Sequence, residues 1–297
     1  MTFENKYNNI KNLTRKEINF IEDYMVQNIE IREPLKSHII NFLTAPSKRV
    51  RPVLSVLFFK SCYGKISDEQ LKALSAVELI HNASLIHDDI IDQSELRRGL
   101  KTTSKEFGNK LGVISGDYLL SVAMKIATEL GSIELLKNFS NTLNKMCIGE
   151  INQNFDRYKI GTIGDYIEKS KNKTAYLFET ALLTPFFFTS EENNKYSVRQ
   201  LASDFGLNAG LAFQIRDDLS NLIKKDKSKP VQNDITEGIY NAPIIYAQSV
   251  ENYIDGIVKT KDLLDNYINQ AYSAIKYLPV NKYKEGLDNF LELLNND

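Results

Sequence analysis

Residues 81–99 read HNASLIHDDIIDQSELRRG. On a helix each residue advances about 100°, so Asp88 and Asp92, four apart, share a face and Asp89 sits to one side. Two carboxylates one turn apart form a pincer of oxygen ligands for a hard divalent cation such as magnesium. His81, seven residues before Asp88, falls on the same face roughly 10 Å away. A merely solvated acidic face fits badly. Ala83, Leu85, Ile86, Ile90 and Ile91 surround the acids with apolar groups, where a carboxylate is costly unless a cation or donors compensate it. His87, beside the pincer, reads equally as structural or functional and takes no role. Arg97 and Arg98 follow, and guanidinium forks match phosphate oxygens. Next to a magnesium pincer they point to a diphosphate.

A second acidic face stands at 210–221, GLAFQIRDDLSN. Asp217 and Asp218 follow an apolar stretch, and Gln214 shares a face with Asp217. One turn on stands Asn221, which can ligate through its carbonyl oxygen but adds no charge. Two acidic helix faces suggest opposed metal sites flanking a phosphate group. Upstream, residues 46–52 read PSKRVRP. Lys48 and Arg51, three apart, would share a helical face and make a candidate second anion site.

The rest of the chain reads as helix after helix. Apolar residues recur at three and four positions, as in Leu71, Leu74, Val77, Ile80 and in Leu211, Ile215, Leu219, Leu222, while strict alternation is scarce. Seven prolines and fourteen glycines in 297 residues leave long stretches without a breaker. Punctuation is expected at Pro46-Ser47, Tyr63 to Lys65, Arg98 to Leu100, Gly161 to Gly164, Glu191 to Asn194 and Lys224 to Asn233. The apolar run Ala181 to Phe188, interrupted by Thr184 and Pro185, is too short to span a bilayer and reads as a buried helix end. From about Asn252 the chain is amphipathic and reads as packing. No repeat or linker marks a boundary, so the expectation is an all-α protein, a single domain over 1–297, its helices bundled around a central cavity.

Composition narrows the function. Lys plus Arg (37) nearly cancels Asp plus Glu (38), so no global field attracts nucleic acid. Cys62 and Cys147 make neither a disulfide framework nor a metal-ligand spacing, which fits a reducing, cytoplasmic setting. The polar start MTFENKYNNIKN carries no apolar core of signal-peptide length.

Together these elements resemble the trans-type polyprenyl diphosphate synthases, from about Ser47 to Ala247. The family's DDxxD motif and Arg pair match Asp88, Asp89, Asp92, Arg97 and Arg98, and its Lys-x-x-Arg-Pro element matches Lys48, Arg51 and Pro52. Its helix histidine matches His81. GDYLL stands at Gly116–Leu120, and GExxQ at Gly149, Glu150 and Gln153. The Lys-Thr pair matches Lys173 and Thr174. Phe-Gln-x-x-Asp-Asp matches Phe213, Gln214, Asp217 and Asp218. The later elements correspond to Lys229-Pro230 and to Asp234 through Gly238. The departures are Pro46-Ser47 for Gly-Gly, Asn221 for Asp, Ile239 for a lysine and Asn241 for a threonine.

The resemblance implies an isoprenoid synthase-like bundle that joins isopentenyl diphosphate to an allylic prenyl diphosphate. Magnesium would be held by Asp88, Asp89, Asp92, Asp217 and Asp218. Lys48, Arg51, His81 and Arg98 would hold isopentenyl diphosphate, and Arg97, Lys173, Thr174, Gln214 and Lys229 the allylic diphosphate. Asp88, Asp92, Lys173 and Asp217 would carry the catalysis. Ala83 and Ser84, small residues beneath the first motif, imply a product longer than C15, at C20 or above. The family's members imply a homodimer, and a lipid product implies transient membrane contact. A class I terpene cyclase is a rival, but its second motif places Asn, Ser and Glu differently. A partner-dependent subunit of a heteromeric synthase is the other, motivated by Asn221 and Ile239.

Overall fold

In the computed structural model, which describes residues 3–189, 195–223 and 233–295, the helices begin and end on local chemistry. α1 (Phe3–Asn12), α2 (Arg15–Gln27) and α3 (Leu35–Thr44) lead to α4 (Val50–Tyr63) and α5 (Asp68–Ile91). α4 stops at Gly64, whose φ of 75° suits a residue without Cβ and whose N–H returns to the Lys60 carbonyl. α5 starts with a capping box, in which Ser67 and Gln70 satisfy each other's backbone N–H. Leu96–Arg97 (β1) and Leu100–Lys101 (β2) pair antiparallel. Arg98 and Gly99 form their two-residue turn, both at positive φ (52° and 77°), as a type I′ hairpin requires. α6 (Thr103–Phe107), α7 (Asn109–Glu129) and α8 (Ile133–Phe155) follow, then α9 (Ile163–Ser170), a π-helical turn (Lys171–Ala175), α10 (Tyr176–Leu183) and a 3₁₀ turn (Thr184–Phe188). α11 (Lys195–Ile223), α12 (Asn233–Thr236), α13 (Ala242–Ala247), α14 (Ile254–Ile275) and α15 (Lys282–Asn295) complete the chain. The all-α expectation holds. The breaks expected at 191–194 and 224–232 lie outside the described residues.

The chain forms two compact units. The first comprises the described residues up to Lys137, with 181–189 and 281–283. The second comprises 138–180, 195–223, 233–280 and 284–295. The division runs through α8 and α10 rather than through a linker, which is why no shift in composition marks it.

In the first unit α4 is buried on nearly every side, with Val53, Leu54, Val56, Leu57 and Phe58 all fully enclosed. This is the pattern of a central helix. Phe58, Phe59 and Tyr63 meet Phe186 edge-on, so the apolar run at 181–188 is the buried helix end its length implies. α7 packs along α5 at close range. A Cβ at Gly116 would fall 2.2 Å from His87 Nε2, so the glycine of the GDYLL element is what lets the histidine lie against α7. By length and composition α7 could cross a membrane, but Gly112, Gly116, Leu119, Val122 and Ala123 bury one face of it. In the second unit α14 lies along α11, burying Leu264, Ile268 and Ala271. The packing role expected after Asn252 is thereby met.

Candidate active site

The first acidic cluster closes α5. Asp92 caps the helix, and its N–H still donates to the Asp88 carbonyl at 2.8 Å, so the two residues stand one turn apart as the sequence implies. Asp92 is exposed and Asp88 half-buried. Asp89 is placed differently. It is 2% exposed, and its Oδ1 accepts from Arg97 Nε at 2.8 Å and Nη2 at 2.6 Å. Burial raises the Asp89 carboxyl above its usual range, and Arg97 and then Arg98 oppose this. The adjacent arginines part company at the hairpin turn. Arg97 goes to Asp89, while Arg98 Nη1 donates to Asn82 Oδ1 (3.1 Å) and the Phe42 carbonyl (3.2 Å).

Two turns before Asp88, Arg51 Nη1 lies 3.2 Å from His81 Nε2. A guanidinium only donates, so His81 accepts there as a neutral ring. Burial, then the charges of Arg51, Arg98, Arg49 and Arg97, hold the half-buried imidazole well below its ordinary range. Burial brings Arg51 and Arg98 down to about 10, still charged at neutral pH. Arg51 and His81 therefore meet directly, and the charge of Arg98 reaches the same imidazole. Lys48 needs a correction. It is exposed in the loop before α4, because Arg49, with φ 53°, is the left-handed N-cap from which the helix starts. Lys48 and Arg51 therefore share no helical face. Ala83 is fully buried, and the half-buried Ser84 turns its hydroxyl back to the His81 carbonyl at 2.8 Å.

The second cluster repeats the split between a more exposed and a buried acid. Asp217 is exposed and Asp218 is 5% exposed. Asp218 accepts from the Tyr166 hydroxyl at 2.7 Å and from Gln214 Nε2 at 2.9 Å. Gln214 Oε1 in turn accepts from the Thr174 hydroxyl at 2.6 Å. Burial pushes the Asp218 carboxyl up to about 7 against Tyr166, Lys169 and Gln214, with Asp217 adding to the rise. Lys173 stands in the π-helical turn, a form frequent at functional sites, and its ammonium meets Glu150 at 2.6 Å. A Cβ at Gly210 would lie 2.8 Å from the Ala175 Cα, so α11 can approach this turn only without a side chain there. Lys229 lies outside the described residues. A cavity of about 410 Å³ in this unit is lined by Gln153, Tyr166, Lys169, Asn172, Gly238 and Ile239, among others.

Sequence reasoning missed Tyr166. The residue it meets, Asp218, is 52 positions away on another helix, so no local signal announced it. His87, read equally as structural or functional, packs against α7 at Gly116.

Asp92 and Asp217 are exposed and Asp88 is half-buried, and a carboxylate is an oxygen ligand suited to a hard cation. Among the described residues no three His, Cys, Asp or Glu side chains gather into a cage. Asp89 and Asp218 already carry the donors described.

Residues 32–275 match the polyprenyl synthetase family. The chain is 31% identical over 264 residues to a prenyl transferase of Porphyra purpurea, covering 79% of this chain and 81% of that one. It is 27% identical over 301 residues to heptaprenyl diphosphate synthase component 2 of Bacillus subtilis (strain 168), covering 91% and 85%. Among solved structures it resembles geranylgeranyl pyrophosphate synthase from Lactobacillus brevis ATCC 367, with a TM-score of 0.84, 25% identity and coverage of 95% and 96%.

Proposed function

The chain belongs to the polyprenyl synthetase family and is a trans-type prenyltransferase, and on that premise we propose that it condenses isopentenyl diphosphate with an allylic prenyl diphosphate to give a product of C20 or longer. The observation that carries this is what gathers along α5: the acidic pair (Asp88, Asp92) at its end and, two turns before it, His81 against Arg51 of α4, with Arg98 of the hairpin donating to Asn82 of the same helix. One end suits a metal-bound diphosphate, the other a diphosphate bound directly.

On this reading Asp88, Asp92 and Asp217 would hold magnesium, which when bound would supply positive charge to stabilise the leaving diphosphate. Lys173, Thr174, Gln214, Arg97 and Lys229 orient the allylic diphosphate. Lys48, Arg51, Arg98 and neutral His81 hold isopentenyl diphosphate with its double bond toward the allylic carbon. The allylic C–O bond breaks, with its electron pair leaving on the diphosphate. The double bond attacks the allylic cation, and loss of a proton to the departed diphosphate restores neutrality. Positioning and electrostatics in a site that excludes water supply the catalysis, and no side chain becomes a covalent nucleophile. Asp89 and Asp218 support this by fixing Arg97 and by joining α9 to α11.

The likeness to a synthase component, with Asn221 and Ile239 at motif positions, favours one second reading: a chain active only with a partner. We further read the chain as a cytoplasmic homodimer in transient contact with membrane. Exposed Leu111, Val113 and Ile114 on α7, and Ile148, Ile151 and Phe155 on α8, support self-association.

The test is incubation of the purified chain with magnesium, labelled isopentenyl diphosphate and, separately, dimethylallyl, geranyl and farnesyl diphosphates. A ladder of products ending at C20 or above is the expected result. No incorporation from folded protein with any starter would transfer the activity to a two-chain enzyme.

A further inference from the structure

The residues on both sides of Lys48 are fixed from other helices. On one side the Lys11 ammonium, on α1, donates to the Ser47 carbonyl at 2.9 Å. On the other, Arg49 is 4% exposed and holds a left-handed backbone, uncommon for a residue with a Cβ. Its guanidinium donates to Glu22 of α2 at 2.8 Å, to Glu78 of α5 at 3.3 Å and to the Leu43 carbonyl. Lys11 senses the same group of charges. Burial lowers it from its usual range, Glu22 and Glu78 oppose the fall, and Arg49 adds to it. Two cations and two anions, from three helices and the loop itself, thus converge at 45–49. An ion group that is largely buried is a poor source of net stability, but it fixes geometry well.

Lys48, held between these two anchors, is the one member of the proposed isopentenyl diphosphate site that stands outside a helix and the hairpin. A long side chain on a loop loses its aim unless the backbone beneath it is set. Arg49 sets the backbone after Lys48, and Lys11 sets the peptide before it. α1 lies ahead of the residues that match the family, 32–275.

We propose that Lys11 is a positioning residue for the isopentenyl diphosphate site, holding the Ser47 carbonyl so that Lys48 meets the diphosphate, and that α1 is thereby part of that site. The inference rests on the condensation reading above. Lys11 acts through Ser47 and touches no substrate.

The test uses the full chain with Lys11→Met, which keeps the length of the side chain and removes the donor, and Lys11→Arg, which keeps it. Isopentenyl diphosphate binding is measured by calorimetry, and KM is measured for isopentenyl and farnesyl diphosphates separately. Lys11→Met is expected to weaken isopentenyl diphosphate about fivefold in both readouts, the order set by loss of one hydrogen bond from a charged donor. The farnesyl diphosphate KM stays within about twofold, and Lys11→Arg recovers most of the loss. Unchanged isopentenyl diphosphate binding, or equal weakening of both substrates, overturns the proposal. Calorimetry needs no turnover, so a chain that binds isopentenyl diphosphate yet never condenses it overturns the condensation reading and still decides this one.

Discussion

The hydroxyl of Tyr166 on α9 donates to Oδ2 of Asp218 on α11 at 2.7 Å, across 52 residues of sequence. With Gln214 and Thr174 it forms a chain of side chains that ties the Lys173 turn to the helix bearing Asp217. Tyr166→Phe removes one donor from a buried carboxylate, which costs about 1–3 kcal/mol of stability. It also removes a group that pulls the Asp218 carboxyl down from a position burial has raised to about 7. The pKa therefore rises further, and more of Asp218 is protonated at any pH near neutrality. The expected result is about a tenfold fall in kcat at pH 7, larger at pH 6 and smaller at pH 8. A loss of equal size at every pH would confine Tyr166 to packing.

Helical periodicity placed α5, and spacing alone put Asp88 and Asp92 on one face. What the sequence concealed is that both Asp-Asp pairs divide their labour. Neighbours on a helix point about 100° apart, so one acid of each pair is the more exposed (Asp88 half-buried, Asp217 exposed) while the other turns into the protein. Which acid turns inward depends on Arg97 from the hairpin and Tyr166 from α9, contacts without a local signature. The same holds for Lys48. A three-residue spacing looks helical, and only the anchoring of Arg49 by Glu22 and Glu78 reveals a left-handed cap in its place. Gly116 is a third case, legible as a motif residue but explained only by the ring of His87 against it.

His81 gives a prediction on stability. Its ring is neutral in the folded protein and held well below its ordinary range by burial and four arginines. Unfolded, it titrates near 6.5. Below that pH the unfolded chain takes up a proton the folded chain refuses, so stability contributed at this site is present above about 6.5 and lost as pH falls. In urea unfolding at pH 7, 6 and 5, His81→Gln is expected to lose less stability toward pH 5 than the parent chain. Parallel curves would mean that the folded ring protonates as readily as the unfolded one.

Asn221 stands one turn after Asp217 on α11, and both are exposed. A neutral amide there gives the second cluster one negative charge fewer than a carboxylate would. Calcium and magnesium sites are tuned by the charge count of their ligands. Asn221→Asp is therefore expected to lower the magnesium concentration for half-maximal condensation several-fold, with little effect on the isopentenyl diphosphate KM. A magnesium curve that does not move would place position 221 outside the metal site.

Ser84 and Ala83 test where the growing chain runs. Ser84 is half-buried one turn before Asp88 on α5, whereas Ala83 is enclosed on every side. If the prenyl tail passes beneath the pincer, a ring at position 84 blocks it while leaving the packed side of α5 undisturbed. Ser84→Phe is expected to keep the first condensation and to shift the product to C15 or shorter. Ala83→Phe forces a ring into filled space and costs about 1–3 kcal/mol or more of stability. Its effect on product length is therefore read only after a thermal unfolding measurement has shown the variant folded. Product chromatography on the two variants separates a tunnel from a packed wall. A shortened ladder from Ser84→Phe with an unchanged melting curve locates the tail on that face of α5. An unchanged ladder from a folded Ser84→Phe chain would move the floor of the tunnel to another helix.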